Sequence, residues 1–315
     1  MTAERSAVHD PVVVVRDLRK TYGDTKAVDG IEFEVGRGEV FGLLGPNGAG
    51  KTTTVEILEG LRRADSGTAT VLGIDCNRDA DALKPRIGVS LQTAALYPKL
   101  TVTEVLELFK SFYGNRPGRS ADELIERFDV GEKRKTRTKE LSGGQRQRLA
   151  VALALINDPE VVFLDEPTTG LDPAARRSLW DIVNELRSED RTVLLTTHYM
   201  EEAEILCDRL AIMDHGRILE TGTVKELVGR HFQERSVRFD AIAGLDDAQL
   251  GAIGGVASIA HEDGEVVLYT RDVPQTIGAV LDAAEAIGAE PENLLVRRPT
   301  LEDVFLVLTG RALRD

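Results

Sequence analysis

Three short stretches of the chain combine residue types and spacings that chemistry can use. The first, Gly45-Pro46-Asn47-Gly48-Ala49-Gly50-Lys51-Thr52, fits G-x-x-x-x-G-K-[ST]. Its glycines let backbone N–H groups converge on a polyphosphate without obstruction from Cβ atoms. Lys51 can reach the β- and γ-phosphates of such a ligand, and the Thr52 hydroxyl can bind Mg²⁺. The second, Asp165-Glu166, closes the apolar run Val161-Val162-Phe163-Leu164. Adjacent carboxylates after a buried strand are costly unless they meet a cation or a reaction. Asp165 is expected on the metal side, and Glu166 as the group that polarises an attacking water. In the third, Leu141-Ser142-Gly143-Gly144-Gln145, Ser142 and Gln145 have the spacing of a capping box. Alone this is a capped helix start. The paired glycines add backbone N–H groups that an anion could use at that helix start.

The elements that must position these residues are readable from periodicity. Strands are expected at 12–15, 31–35, 40–44, 161–164 and 192–197, with helices at 52–58 and 145–156. Strands and helices alternate to about residue 227, which predicts an α/β unit with mainly parallel strands in its core. Beyond that the composition changes. Lys225 is the last lysine, and residues 228–315 carry eight Arg against fifteen Asp and Glu. Strands at 236–240, 256–260, 266–270 and 294–298, with helices at 246–253, 274–287 and 301–308, give a β-α-β-β-α-β order plus one helix. That order predicts a small C-terminal α+β domain of ferredoxin-like type. The expected division is therefore a loose tail at 1–10, a main domain at 11–227 and an accessory domain at 228–315.

Composition narrows the partners. The chain has 315 residues, 39 Lys and Arg against 53 Asp and Glu, and a formal charge of −14. This acidic balance argues against nucleic acid as a partner. The basic run Lys133, Arg134, Lys135, Arg137 and Lys139 has no aromatic residues interleaved and reads as a solvated loop. The two cysteines, Cys76 and Cys207, lie far apart and outside any metal-like spacing, as in a reducing compartment. No apolar run approaches the roughly 18–20 residues of a membrane helix. Residues 1–10 have no apolar segment of secretory type, so no leader is expected. Any work at a membrane would need another chain to cross it.

Taken together, the three stretches resemble the ATP-binding cassette (ABC) ATPases, over roughly residues 12–227. Residues 141–145 are similar to that family's signature, and 40–52 and 161–172 to its two nucleotide motifs. The resemblance implies a P-loop NTPase fold with a helical subdomain at about 93–157. It assigns Gly45, Pro46, Asn47, Gly48, Ala49, Gly50, Lys51, Thr52 and Thr53 to ATP, with Tyr22 stacked on adenine. It makes Gln92 the glutamine that senses Mg²⁺ and the γ-phosphate, so that Thr52, Gln92 and Asp165 serve the metal. His198 would hold the γ-phosphate beside Glu166, with Lys51 completing the catalytic set. Asp172, in Gly170-Leu171-Asp172-Pro173, would belong to the loop linking two active sites; the family usually has Ser where this chain has Gly170. Ser142, Gly143, Gly144 and Gln145 would act in trans. The chain therefore needs a second nucleotide-binding subunit, with a homodimer the first expectation.

Three classes compete: a transporter engine, a soluble ABC ATPase acting on ribosomes or DNA, and an unrelated P-loop enzyme. The signature argues against the third. The 89 residues between Lys51 and Leu141 hold no sustained heptads, unlike the long coiled-coil insert common in the second class. Leu96-Tyr97-Pro98-Lys99-Leu100-Thr101-Val102-Thr103-Glu104 resembles the segment that leads into the surface receiving a membrane subunit. Leu301, Val304, Phe305 and Leu308 read as the core face of a helix. The stretch around them, from Arg298 to Gly310, also resembles the tail of bacterial ABC-2 export ATPases of the daunorubicin/doxorubicin-resistance type. The resemblance thus implies a peripheral protein of the cytoplasmic membrane face. It would bind ATP and Mg²⁺ and power efflux of a hydrophobic drug or natural product through a separate multi-pass ABC-2 permease. Lipid, polysaccharide or sodium export are the alternative cargoes, and a soluble ATPase outside transport is the remoter one.

Overall fold

The strands that end in the chemical residues are buried on both faces, and their alternation shows against what. The computed structural model describes residues 10–91, 96–114, 116, 118–262 and 264–310. The chain divides into two compact units, one running to Val224 and the other starting at Lys225. The sequence places this division at 228. The helix Val224–His231 spans that position, so the chain divides at its first turn instead.

The first unit opens with β1 (Pro11–Tyr22), β2 (Thr25–Gly36) and β3 (Val40–Leu44). Then come α1 (Lys51–Leu58), β4 (Ser66–Val71), β5 (Ile74–Asp75), α2 (Ala80–Leu83) and β6 (Ile87–Ser90). Three helices follow: α3 (Val102–Ser111), α4 (Ala121–Arg127) and α5 (Gly143–Ala154). The unit continues through β7 (Val161–Asp165), α6 (Pro173–Ser188), β8 (Thr192–Thr197), α7 (Met200–Leu206), β9 (Arg209–Asp214) and β10 (Arg217–Gly222). Six strands form one sheet in the order β10-β9-β3-β8-β7-β6. All its pairs are parallel except β9 with β10. A second sheet, β2-β1-β4-β5, is antiparallel.

Side chains of a strand point alternately to opposite faces. In β7, Val161 and Phe163 join the core shared with the antiparallel sheet and with Val55, Ile57 and Leu58 of α1. Val162 and Leu164 join the other core, built with Val105 and Leu106 of α3, Leu124 and Ile125 of α4, Leu149 of α5 and Leu179 of α6. β8 splits in the same way, Leu194 to the first core and Val193 and Leu195 to the second. The helices expected over 93–157 thus close on the same core as the sheet. Fully burying an aliphatic or aromatic side chain of this kind is worth roughly 1.5–3 kcal/mol. Phe33 of β2 and Phe41 of β3 stack across the first core with centroids 5.4 Å apart.

β1 and β2 run longer than periodicity suggests, and α5 starts and ends two residues early. β1 runs from Pro11 to Tyr22 because its register shifts between Val15 and Leu18, where Asp17 has φ 42°. The bulge breaks the alternation on which a sequence reading depends. α5 begins at Gly143, with both glycines inside the first helical turn. Among the described residues no helix is long and apolar enough to cross a membrane.

The second unit holds α8 (Val224–His231), β11 (Arg235–Asp240), α9 (Asp247–Gly251), β12 (Val256–Glu262) and β13 (Glu265–Thr270). It ends with α10 (Val273–Ala286), β14 (Leu295–Arg297) and α11 (Leu301–Thr309). Its sheet is antiparallel throughout, in the order β12-β13-β11-β14. The third strand of the unit therefore lies between the first and second, as in a split β-α-β arrangement. Val237, Phe239, Leu250, Val266, Leu268 and Val280 form its core. In α11, Leu301, Val304 and Phe305 are buried, while Leu308 is only half-buried.

Candidate functional site

The carboxyl ends of β3, β7 and β8 meet at one edge of the parallel sheet, where ligands of such sheets gather. The loop after β3 is pinned there by a hydrogen bond from Gly45 N–H to the Thr197 carbonyl at 3.2 Å. Gly50 adopts φ 102°, a left-handed conformation, and a Cβ there would strike the Ala27 carbonyl oxygen. Glycine at 50 is therefore a steric requirement. From it α1 starts at Lys51, one residue before the expected helix.

Lys51 is buried. Its ammonium donates to the carbonyls of Gly45 at 2.8 Å and Pro46 at 3.1 Å, and lies 3.2 Å from Glu166 Oε1. Burial pulls the Lys51 pKa down, against the opposing charges of Glu166 and Asp165. Asp165 Oδ1 accepts the Thr196 hydroxyl at 2.5 Å and the Thr52 hydroxyl at 3.3 Å. Burial nevertheless pushes the Asp165 carboxyl up. Glu166 has φ 45°, strained for a residue with a side chain, and its N–H donates to Thr196 Oγ1 at 2.9 Å. Its Oε2 lies 3.3 Å from His198 Nδ1 and accepts the Thr169 hydroxyl at 3.2 Å. Burial works to raise the Glu166 carboxyl, but Lys51 and His198 more than reverse this and hold it below the usual glutamate value.

Lys51, Thr52, Asp165, Glu166 and His198 therefore form one cluster. Other expected residues stand elsewhere. Tyr22, at the end of β1, is 40% exposed, with the Arg62 guanidinium 5.2 Å and the Lys20 ammonium 5.5 Å from its ring centroid. Ser142 caps α5: Gln145 N–H donates to Ser142 Oγ at 3.2 Å and Ser142 N–H to Gln145 Oε1 at 3.0 Å. These contacts form a complete capping box, leaving Gly143 and Gly144 in the first turn. Asp172 caps α6 through Ala175 N–H at 2.9 Å. Gln92 lies outside the described residues.

Thr196 is a site residue that the sequence reading missed. Its hydroxyl serves both Asp165 and the Glu166 backbone. The available signal was a pair of threonines closing a buried strand directly after Val193-Leu194-Leu195. For a metal, the Thr52 hydroxyl and an Asp165 oxygen converge on one point. Mg²⁺ is commonly held by one or two carboxylates together with substrate phosphates and water. This hard, incomplete oxygen set fits that pattern. No cluster of three or more His, Cys, Asp or Glu able to hold a metal occurs among the described residues.

What these groups can do together is hold a polyphosphate and hydrolyse its terminal anhydride. The first unit is by fold and site a nucleotide-hydrolysing domain of the P-loop class.

Comparison with known proteins makes this specific. Residues 28–169 match the family described as ABC transporter, and the chain belongs to the ABC transporter ATP-binding proteins. It is 42% identical to daunorubicin resistance ATP-binding protein DrrA3 of Streptomyces coeruleorubidus, over 96% of both chains. It is 41% identical to Nod factor export ATP-binding protein I of Ralstonia nicotianae, over 97% of this chain and 96% of that one. With linearmycin resistance ATP-binding protein LnrL of Bacillus subtilis the identity is 37%, over 95% and 98%. Among solved structures, an ATP-binding subunit of an ABC transporter matches with TM-score 0.63 and 28% identity, over 70% of this chain and 92% of that one. A dimeric ATP-binding cassette in a post-hydrolysis state, bound to ADP and Pi, matches with TM-score 0.62 and 26% identity, over 67% and 98%. The protein is thus an ATP-binding, ATP-hydrolysing subunit of a transporter.

Proposed function

We propose that the protein powers an ABC-2 type exporter from the cytoplasmic face of the membrane, working as a dimer with a separate multi-pass permease. The observation that carries this is the relatives' coverage: the identity extends over nearly the whole chain, accessory unit included, and the names speak of resistance or export. A hydrophobic drug or natural product is the favoured cargo.

The site residues take the following roles. Backbone groups of 45–50 and the start of α1 bind the β- and γ-phosphates. An arriving γ-phosphate draws Lys51 from the Gly45 and Pro46 carbonyls and from Glu166. That removes the Lys51 charge from Glu166 Oε1. As Lys51 leaves, it stops lowering the Glu166 carboxyl and burial raises it, which makes the carboxylate a stronger base toward the attacking water. His198 steadies the γ-phosphate beside it. Thr52 and Asp165 would hold Mg²⁺, which when bound offsets the charge that builds up on the phosphate oxygens. Tyr22 stacks on adenine. Ser142, Gly143, Gly144 and Gln145 of one subunit close over the nucleotide of the other, and Asp172 links the two sites.

The test uses a tagged Glu166→Gln variant, trapped with ATP and Mg²⁺ and purified from detergent-solubilised native membranes. ATP binding persists, hydrolysis falls by about 100-fold or more, and mass spectrometry finds a second copy together with a multi-pass membrane protein. Hydrolysis at the wild-type rate would remove Glu166 as the base. Recovery only in the soluble fraction, with ribosomes or nucleic acid, would keep the ATPase and overturn the exporter.

A further inference from the structure

Just after His198 the structure buries a carboxyl that none of these roles uses. Glu202 of α7 has no exposed surface. Its Oε1 accepts the indole N–H of Trp180, on α6, at 3.2 Å. Burial pushes its carboxyl up, opposed by the nearby hydroxyls of Thr197 and Thr168, the Trp180 indole N–H and the charge of Arg176. Thr168 belongs to the loop between Glu166 and the Asp172 cap, and Thr197 immediately precedes His198. Both threonines are buried. Thr168 Oγ1 and Glu202 Oε2 make no bond of full hydrogen-bond geometry among the described residues. An unmatched hydroxyl and an unmatched carboxyl oxygen thus share one buried region.

A second path joins the same elements. Tyr199 N–H donates to Thr197 Oγ1 at 2.9 Å, and the rings of His198 and Tyr199 lie 4.1 Å apart. The Arg176 guanidinium, from the first turn of α6, sits 4.5 Å from the Tyr199 centroid. The helix capped by Asp172 therefore touches the His198 segment twice, through Arg176–Tyr199 and through Trp180–Glu202. A buried carboxyl costs stability unless its oxygens are hydrogen-bonded or paired, and Glu202 Oε2 has no bond of full geometry among the described residues.

The geometry points to Glu202 as a positioning residue that ties the Asp172 loop to His198, so that engagement of that loop by the second subunit sets the histidine for hydrolysis. Displacements near 1 Å suffice to change a reaction geometry strongly. This rests on the reading of His198 and Asp172 given above, and deepens it by naming the link within one subunit.

The experiment measures ATP affinity and steady-state hydrolysis on the full-length chain. Glu202→Leu lowers kcat about tenfold with ATP affinity within about twofold of wild type. Glu202→Gln, which keeps the size and an acceptor for Trp180, restores at least about half of the wild-type rate. In an Asp172→Ala background, Glu202→Leu has no further effect, since both changes cut one link. A folded Glu202→Leu protein with the wild-type kcat, a parallel loss of kcat and ATP affinity, or additive effects with Asp172→Ala would each overturn the proposal. If Glu202→Leu does not fold, Trp180→Phe decides. An approximately threefold fall in kcat at unchanged ATP affinity supports the link, and a wild-type kcat removes it. His198→Ala separates the two readings. Wild-type hydrolysis by that variant sinks the role of His198 itself, whereas its loss beside an unaffected Glu202→Leu sinks only the link.

Discussion

Glu59 stands one residue beyond α1, where its backbone N–H caps the helix and its side chain is almost wholly buried. Neither carboxylate oxygen has a hydrogen-bond partner among the described residues. Burial, with the nearby charges of Asp165 and Glu56, pushes its pKa from 4.5 up to about 8. Between those two values the folded chain holds a proton that the unfolded chain has released, so stability falls as pH rises across that window and is flat on either side. By pH 8 this one carboxyl costs on the order of 4 kcal/mol. Glu59→Gln should therefore raise the melting temperature at pH 8 and change it little at pH 5. Equal effects at both values would remove the explanation. Legibility in the sequence differs residue by residue. Lys51, Thr52, Asp165 and Glu166 are readable because each occupies a fixed place against a strand end, whereas His198 is reached through the family resemblance. Thr196 is not readable, because a threonine in a buried strand reads first as a β-branched strand former. Glu202 is not either, because its burial depends on α6, far from it in the chain.

At the scale of elements, the start of α5 combines two tasks. Ser142 and Gln145 complete a capping box, and the two glycines of the first turn carry no side chain above the helix end. Ser142→Arg removes the cap, a loss of about 1 kcal/mol, and sets a long side chain where a second subunit's nucleotide would lie. It should leave ATP binding intact and abolish hydrolysis, as read by nucleotide affinity and phosphate release on the same preparation. Loss of ATP binding would contradict a signature that acts in trans. The helix itself was legible from the Ser142–Gln145 spacing, but its first turn was not, because two glycines resemble a turn more than a helix. β1 shows the opposite difficulty. Its outer half follows a bulge at Asp17, and an alternation that changes phase looks like its end. In the second unit the strand limits fall within about two residues of expectation, although β12 shifts register between Val256 and Ser258. The order β12-β13-β11-β14 is the one that a β-α-β-β-α-β succession of ferredoxin-like type implies, whereas alternation by itself shows which face is buried and not which strand lies alongside.

For the whole molecule, the division at Val224 and Lys225 invites a truncation. We expect a chain ending at residue 224 to retain ATP binding, because Lys51, Thr52, Asp165, Glu166 and His198 all lie in the first unit. We expect it to lose dimer stability or abundance, measured by sedimentation and by protein level in cells. Unchanged dimerisation, abundance and transport would leave the second unit without a role in either. The position of this division was only partly legible. Composition changes where the lysines stop, whereas the chain divides where a helix begins. A last consequence lies in the strands that reach the site. β3, β7 and β8 each send alternate side chains into both cores of the first unit. Neither layer can melt by itself, because the wall it would leave behind is also the wall of the other. Amide exchange at Phe163 and Leu194 should then require opening of the whole unit, and the machinery for breaking ATP is mounted on the last part of the domain to let go.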